Sequence, residues 1–192
     1  YEDLIGQLEQ HVACAAMTCP GHSPKGRFRG VSFSLPGDPT QKLHIPPLRP
    51  TWRYARDLRP DLVVVATPGP YGLLGVHIAR RLRVPFVFGY HTQYDKLANL
   101  YWNRVFGSLS GRYLCWVDRR IFRKSAAVVA NNEHLVEVAR RLGAADVVEV
   151  GTPVSRLFLA PVQARPSLGI GRILFAGRLA PEKNLAEVVQ RI

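Results

Sequence analysis

The chain has 192 residues, 47% of them hydrophobic, and a formal net charge of +12. That length and apolar content permit a buried core and exclude an intrinsically disordered chain, while no apolar run reaches the ~18 residues a membrane-spanning helix needs. Three cysteines without a CxxC pair argue against a disulfide framework and for a reducing compartment, the cytoplasm.

In chain order, residues 12–18 (VACAAMT) read as a first strand. Residues 34–50 (SLPGDPTQKLHIPPLRP) read as an irregular loop, since each proline removes a backbone donor and biases its predecessor away from helix. A β-branched run at 61–66 (DLVVVA) predicts a strand, followed by helical periodicity over 71–82. The same alternation repeats as strand 84–90, helix 97–124, strand 126–130, helix 132–142 and strand 146–150. Residues 151–169, with Pro153, Pro161 and Pro166, read as a linker, and 172–176 (RILFA) as one more strand, with a helix start at Pro181 and Glu182. Almost continuously apolar strands separated by helices indicate an α/β fold with a doubly wound, Rossmann-like parallel sheet. The division expected is a domain over 1–150, a linker over 151–169, and the start of a second domain over 170–192.

In such a sheet the working groups gather beyond the carboxyl ends of the strands. Three loops have that placement. In the first (TPGPYG), Pro68, Gly69 and Gly72 precede a helix whose free N–H groups suit an anion, although such a turn can equally be only a turn. In the second (HTQY), His91, Thr92 and Tyr94 follow a buried strand; His91 can donate to a hydroxyl or stabilise charge, or be an ordinary loop histidine. In the third (NNE), Asn131 or Asn132 caps the next helix and Glu133 enters its first turn. The six histidines have no metal-ligand spacing with the cysteines or with one another, and neither GxSxG nor GxxxxGK[ST] occurs. No metal or other cofactor is expected.

Charge is unevenly spread. Segment 96–124 holds seven cations against one acid, Asp118, which is half of the chain's excess. In it Trp102, Val105, Phe106, Leu109, Tyr113, Trp116, Val117 and Ile121 recur at helical spacing, and Gly107 and Gly111 are positioned to bend or split the helix. Two readings stand: a core-facing helix, or a basic aromatic surface for an anionic membrane. Nucleic acid is not expected, because the aromatics follow burial spacing and no RNA- or DNA-binding motif is present. Near the end, FAGRLAPEKN sets Gly177 and Arg178 at a strand terminus and Lys183 in the first turn of the next helix, an arrangement suited to a diphosphate; solvated surface charges are the alternative.

GRLAPEKN, PDLVVVATPGPYGLLGVHIARRLRVPFVFGYHTQY, AAVVANNEHLVEVARRLGA and VEVGTPVSRLF together resemble the family-4 retaining glycosyltransferases of the GT-B fold, in order from about residue 30 onward. The resemblance implies a Rossmann-like acceptor domain joined to a nucleotide-sugar-binding one, with reaction in the cleft between them. Carried over position by position, it implies that Gly177, Arg178 and Lys183 hold the donor diphosphate and that His91 lies by the transferred sugar. It also implies acceptor or cleft roles for the residues of the other loops. Where members often carry GVD this chain reads GTPV, so no aspartate is carried over there. The family's first strand and glycine-rich loop are expected before Tyr1, and its EX7E acidic pair after Ile192, so the chain as it stands is not expected to turn over. The expected activity is sugar transfer from a nucleotide-diphosphate sugar to an acceptor such as a lipid or cell-envelope glycan precursor, in the cytoplasm at the inner face of the membrane. A sugar-nucleotide epimerase of the same fold and a noncatalytic basic nucleic-acid-binding module are the competing expectations.

Overall fold

The computed structural model describes residues 6–14, 30–35, 38–94, 96, 104–152, 174–177 and 183–190. The chain divides into two units, Tyr1–Pro153 and Val154–Ile192. In the first, an antiparallel hairpin of β1 (Val31–Leu35) and β2 (Asp38–Ile45) leads to α1 (Leu48–Leu58). Next come β3 (Val63–Val65), α2 (Pro70–Leu82), β4 (Phe86–Tyr90), α3 (Arg104–Phe122), β5 (Ala127–Ala130), α4 (Glu133–Leu142) and β6 (Val147–Glu149). The second unit contributes α5 (Leu185–Gln190).

Strands β3 to β6 form one parallel sheet in the order β3-β4-β5-β6. Together with the alternating helices, this is the Rossmann-like α/β architecture expected from the strand and helix periodicities. Register aligns Val63 with Phe86, Val65 with Phe88, and Phe88 with Val128, so these side chains share one face. That face is buried with Ala79 of α2, Val117, Ile121 and Phe122 of α3, and Leu135, Val136 and Ala139 of α4. Consecutive parallel strands joined by crossovers of one hand send every connecting helix to the same side, as in one half of a doubly wound sheet. The opposite face is more open, with Val64 67% exposed.

Phe122 is the hub of the packing. It is fully buried, tilted against Phe88 at 5.3 Å and edge-on to Tyr90 at 5.0 Å between ring centroids. Burying such a ring contributes about 1.5–3 kcal/mol, with about 0.5–1.5 kcal/mol more for each aromatic pair. A smaller cluster of Ala55, Leu74 and Ile78, with Trp52 and Leu82 against it, fixes α1 beside α2.

Four sequence expectations are corrected. First, the stretch 34–50 is not an irregular loop. Three of its prolines fall where a missing N–H is tolerated: Pro39 in a two-stranded ribbon, Pro47 at the N-cap of α1, and Pro50 in the first turn, while Pro36 lies outside the described residues. Buried Thr51 then bonds back to the Pro47 carbonyl at 2.8 Å. Second, the strand over 12–18 is not formed at its described residues. The N–H groups of His11 and Val12 donate to Leu8 O at 2.9 Å, closing a helical turn, and 15–18 lie outside the described residues.

Third, Leu174–Ala176 carries no strand and Leu174 is open to solvent, for want of a ladder partner among the described residues. Fourth, Gly107 and Gly111 do not interrupt α3, which runs unbroken for 19 residues with both glycines buried. The helix expected from 97 is described from Arg104. Trp102, the side chains of Val105 and Phe106, and most of the linker expected over 151–169 lie outside the described residues.

Candidate active site

Parallel pairing brings the ends of β3, β4 and β5 to one edge of the sheet, and with them the three loops singled out above. After β3 the chain turns through buried Pro68 and half-buried Gly69 into α2. Gly72, in the first turn, is a packing requirement: a Cβ there would stand 1.7 Å from Thr67 O and 3.1 Å from Val65 Cγ1. Gly75, one turn on, faces the same strand, and a Cβ there would stand 3.3 Å from Val65 Cγ2 and 3.8 Å from Val63 Cγ1. Gly69 is under no such constraint, with φ −71° and nothing nearer its virtual Cβ than Thr67 Oγ1 at 3.6 Å. Tyr71 and Gly72 keep first-turn N–H groups at this edge, whereas Pro70 has none.

After β4, His91 is exposed, and Thr92 and Tyr94 are half-buried in a tight turn where Tyr94 N donates to Thr92 O at 3.1 Å. His91 does not extend freely. Its imidazole lies back over Gly89: a Cβ at Gly89 would come within 2.9 Å of His91 Nε2 and 3.8 Å of Ala66 Cα. Residues two apart on a strand share a face, so a glycine two positions before a histidine makes room for its ring. Gly89 was not among the residues expected to matter; the GYH spacing was the signal that could have found it.

After β5, the choice of helix cap falls on Asn132, whose side chain accepts from Leu135 N at 2.9 Å and donates to Asn131 Oδ1 at 3.0 Å. Asn131 is thereby held half-buried at the sheet edge. The Tyr90–Ala130 pairing places the next residues, His91 and Asn131, at the same level of neighbouring strands. Glu133 is exposed in the first turn of α4, where the helix dipole favours its charge.

The second unit is described at Leu174–Gly177 and at 183–190. Arg178 lies outside the described residues. Lys183 is exposed and precedes α5 rather than lying in its first turn, because Asn184 intervenes in a left-handed conformation (φ 46°) and donates to Glu187. Asparagine tolerates that backbone better than most residues. Gly177 is exposed, and the Phe175 ring would meet its virtual Cβ at 2.9 Å.

Among the described residues, no three His, Cys, Asp or Glu side chains gather where a metal could be held, and no helix is long and apolar enough to cross a membrane. A shallow hollow of about 480 Å³, lined by Arg80, Pro85, Lys124 and Ser125 among others, lies at the amino ends of β4 and β5, the edge away from these loops.

Residues 3–155, which contain this Rossmann-like sheet and its three carboxyl-edge loops, match the family model Glycosyltransferase Family 4. The chain belongs to that family. It is also similar to a GDP-mannose-dependent alpha-mannosyltransferase from Mycobacterium tuberculosis (strain CDC 1551 / Oshkosh), 32% identical over 148 residues, covering 71% of this chain and 38% of the relative. The chain therefore spans less than half the length of that relative. No solved structure matches it significantly.

Proposed function

We propose that the protein acts in the transfer of a hexose, with retention, from a nucleotide-diphosphate sugar to an acceptor presented at a membrane, such as a lipid or cell-envelope glycan precursor. The observation that carries this reading is the sharing of one sheet edge by the TPGPYG, HTQY and NNE loops in a family-4 chain. Pro68, Gly69, Gly72, Thr92, Tyr94, Asn131 and Glu133 line the acceptor side of the cleft. His91, seated over Gly89, stands by the transferred sugar and offers an imidazole N–H to a hydroxyl or to developing charge. Gly177, Arg178 and Lys183 hold the donor diphosphate, where fixed positive groups stabilise the leaving group as its charge grows. The name of the mannosyltransferase relative supports GDP-mannose as the donor. The enzyme works in the cytoplasm, at the inner face of the membrane.

A donor screen on a protein spanning the full length of the mannosyltransferase relative tests the proposal. Radiolabelled GDP-mannose, compared with other nucleotide sugars, should yield acceptor-bound label with stoichiometric nucleotide release, and Arg178→Ala or Lys183→Ala should cost about 2–4 kcal/mol of transition-state stabilisation. Parent kinetics in both variants would remove the diphosphate assignment. Conversion of the donor to a stereoisomeric sugar nucleotide without acceptor labelling would identify an epimerase instead.

A further inference from the structure

Helix α3 divides its charge and its apolar groups in a way that packing alone does not require. Asp118, the only acid of the basic segment, is 1% exposed on the side of α3 that carries the core residues Val117, Ile121 and Phe122. On the outward side Leu109, Tyr113 and Trp116 are 59%, 56% and 56% exposed, among exposed Arg112 and Arg120. At 3.6 residues per turn these five lie within an arc of about 100°. Tyr113 stacks on Trp116 at 6.2 Å and the Arg120 guanidinium lies 5.4 Å from the Trp116 ring, forming a ladder along the axis. The helical periodicity thus hid two stripes: one turned into the core, the other turned out with cations and no acid.

We propose that this outward face of α3 is a docking surface for an anionic lipid bilayer, with the arginines at headgroup phosphates and the Leu109, Tyr113, Trp116 row at the edge of the acyl region. Charge complementarity selects this occupant, since the face is purely cationic, and tyrosine and tryptophan are the side chains enriched where water meets lipid. A single-stranded nucleic acid fits less well. It needs open ring faces for its bases, and these rings are stacked on each other and beneath Arg120. The surface deepens the proposed placement of the acceptor at a membrane and rests on that reading, but docking itself requires no donor chemistry.

The test uses Trp116 as reporter. With Trp52→Phe and Trp102→Phe it is the sole remaining indole of the three. Its emission should shift to the blue on phosphatidylcholine vesicles containing phosphatidylglycerol, and not on phosphatidylcholine alone. Salt near ~1 M, where screening acts within about 3 Å, should reverse the shift. Each arginine near such a surface is worth about fivefold, so Arg112→Gln and Arg120→Gln together should weaken vesicle affinity about 25-fold with the circular dichroism unchanged. An unshifted Trp116, an equal shift on neutral vesicles, or a shift produced by an oligonucleotide and not by vesicles would overturn the docking surface. Normal sugar transfer to a detergent-solubilised acceptor, by a protein that ignores anionic vesicles, would overturn it while leaving the transferase reading intact. Vesicle binding by this chain, with no nucleotide-sugar turnover from a protein spanning the full length of the mannosyltransferase relative, would support the surface and count against the transferase reading alone.

Discussion

Replacing Gly72 by alanine introduces one methyl group where the backbone of the preceding turn already stands. Its carbon would lie 1.7 Å from Thr67 O, 2.9 Å from Thr67 C and 3.1 Å from Val65 Cγ1. Relief to ordinary contact requires about 1.5 Å of separation between α2 and the end of β3, in an interior that compresses little. None of the three atoms is the tip of a long, flexible side chain, so the helix as a whole must move. Overpacking of this depth belongs at or above the upper end of the usual 1–3 kcal/mol range, and we expect about 3 kcal/mol of destabilisation. At about 2–4 °C per kcal/mol for a chain of this size, the melting temperature should fall by roughly 6–12 °C.

Gly69→Ala is the control. Its nearest neighbour is 3.6 Å away and its φ of −71° suits any residue. The loss of a preferred N-cap type and the gain from a stiffer unfolded chain nearly cancel, leaving a change within about 0.5 kcal/mol. Urea unfolding followed by far-ultraviolet circular dichroism separates the two. Equal stabilities for the variants, or a Gly72→Ala protein as stable as the parent, would refute the packing account and return Gly72 to a role in ligand contact alone.

Gly89→Ala should leave urea stability within about 1 kcal/mol, because the atom it meets is the far end of the His91 ring, yet in a protein of the relative's full length cut kcat about tenfold or more by turning that imidazole away; an unchanged kcat there would dissociate His91 from the reaction. Phe122→Ala removes the ring between Phe88 and Tyr90 and should cost about 3–5 kcal/mol in the same denaturation assay. Arg83, the C-cap of α2, sits at φ 60°; Arg83→Gly should raise stability by up to about 1 kcal/mol, and a loss would show that the arginine side chain matters more than its backbone strain.

Strands β3, β4 and β5 were legible because each is a short apolar run that no amphipathic helix would contain, and α2 and α4 because their periodicity is regular. The hairpin was not, since prolines are read as breakers until it is known that a two-stranded ribbon leaves half of its N–H groups unpaired. For α3 the sequence showed both apolar groups and cations but not how they divide, because position around a helix has no meaning until one face is packed. Asp118 becomes informative only once it is buried. At the candidate site, residue types and loop positions could be read directly. The seating of His91 over Gly89 and the choice of Asn132 over Asn131 as cap depend on side-chain directions that spacing alone does not determine. The helix start expected at Pro181 and Glu182 lies outside the described residues; Lys183 is in a 3₁₀ turn that the left-handed Asn184 separates from α5.

The order of the parallel strands also bears on how the chain folds. Each strand from β4 onward pairs with the one synthesised just before it, through a helical crossover. Its contacts are therefore short in sequence for a parallel sheet, where pairing is usually slow because long loops must close first. A ribosome delivering about 5–20 residues per second supplies the strands in the order in which they pair. The described part of the sheet can thus grow one βα unit at a time, each new strand covering the edge left by its predecessor, so that none of β4 to β6 has to wait exposed for a distant partner.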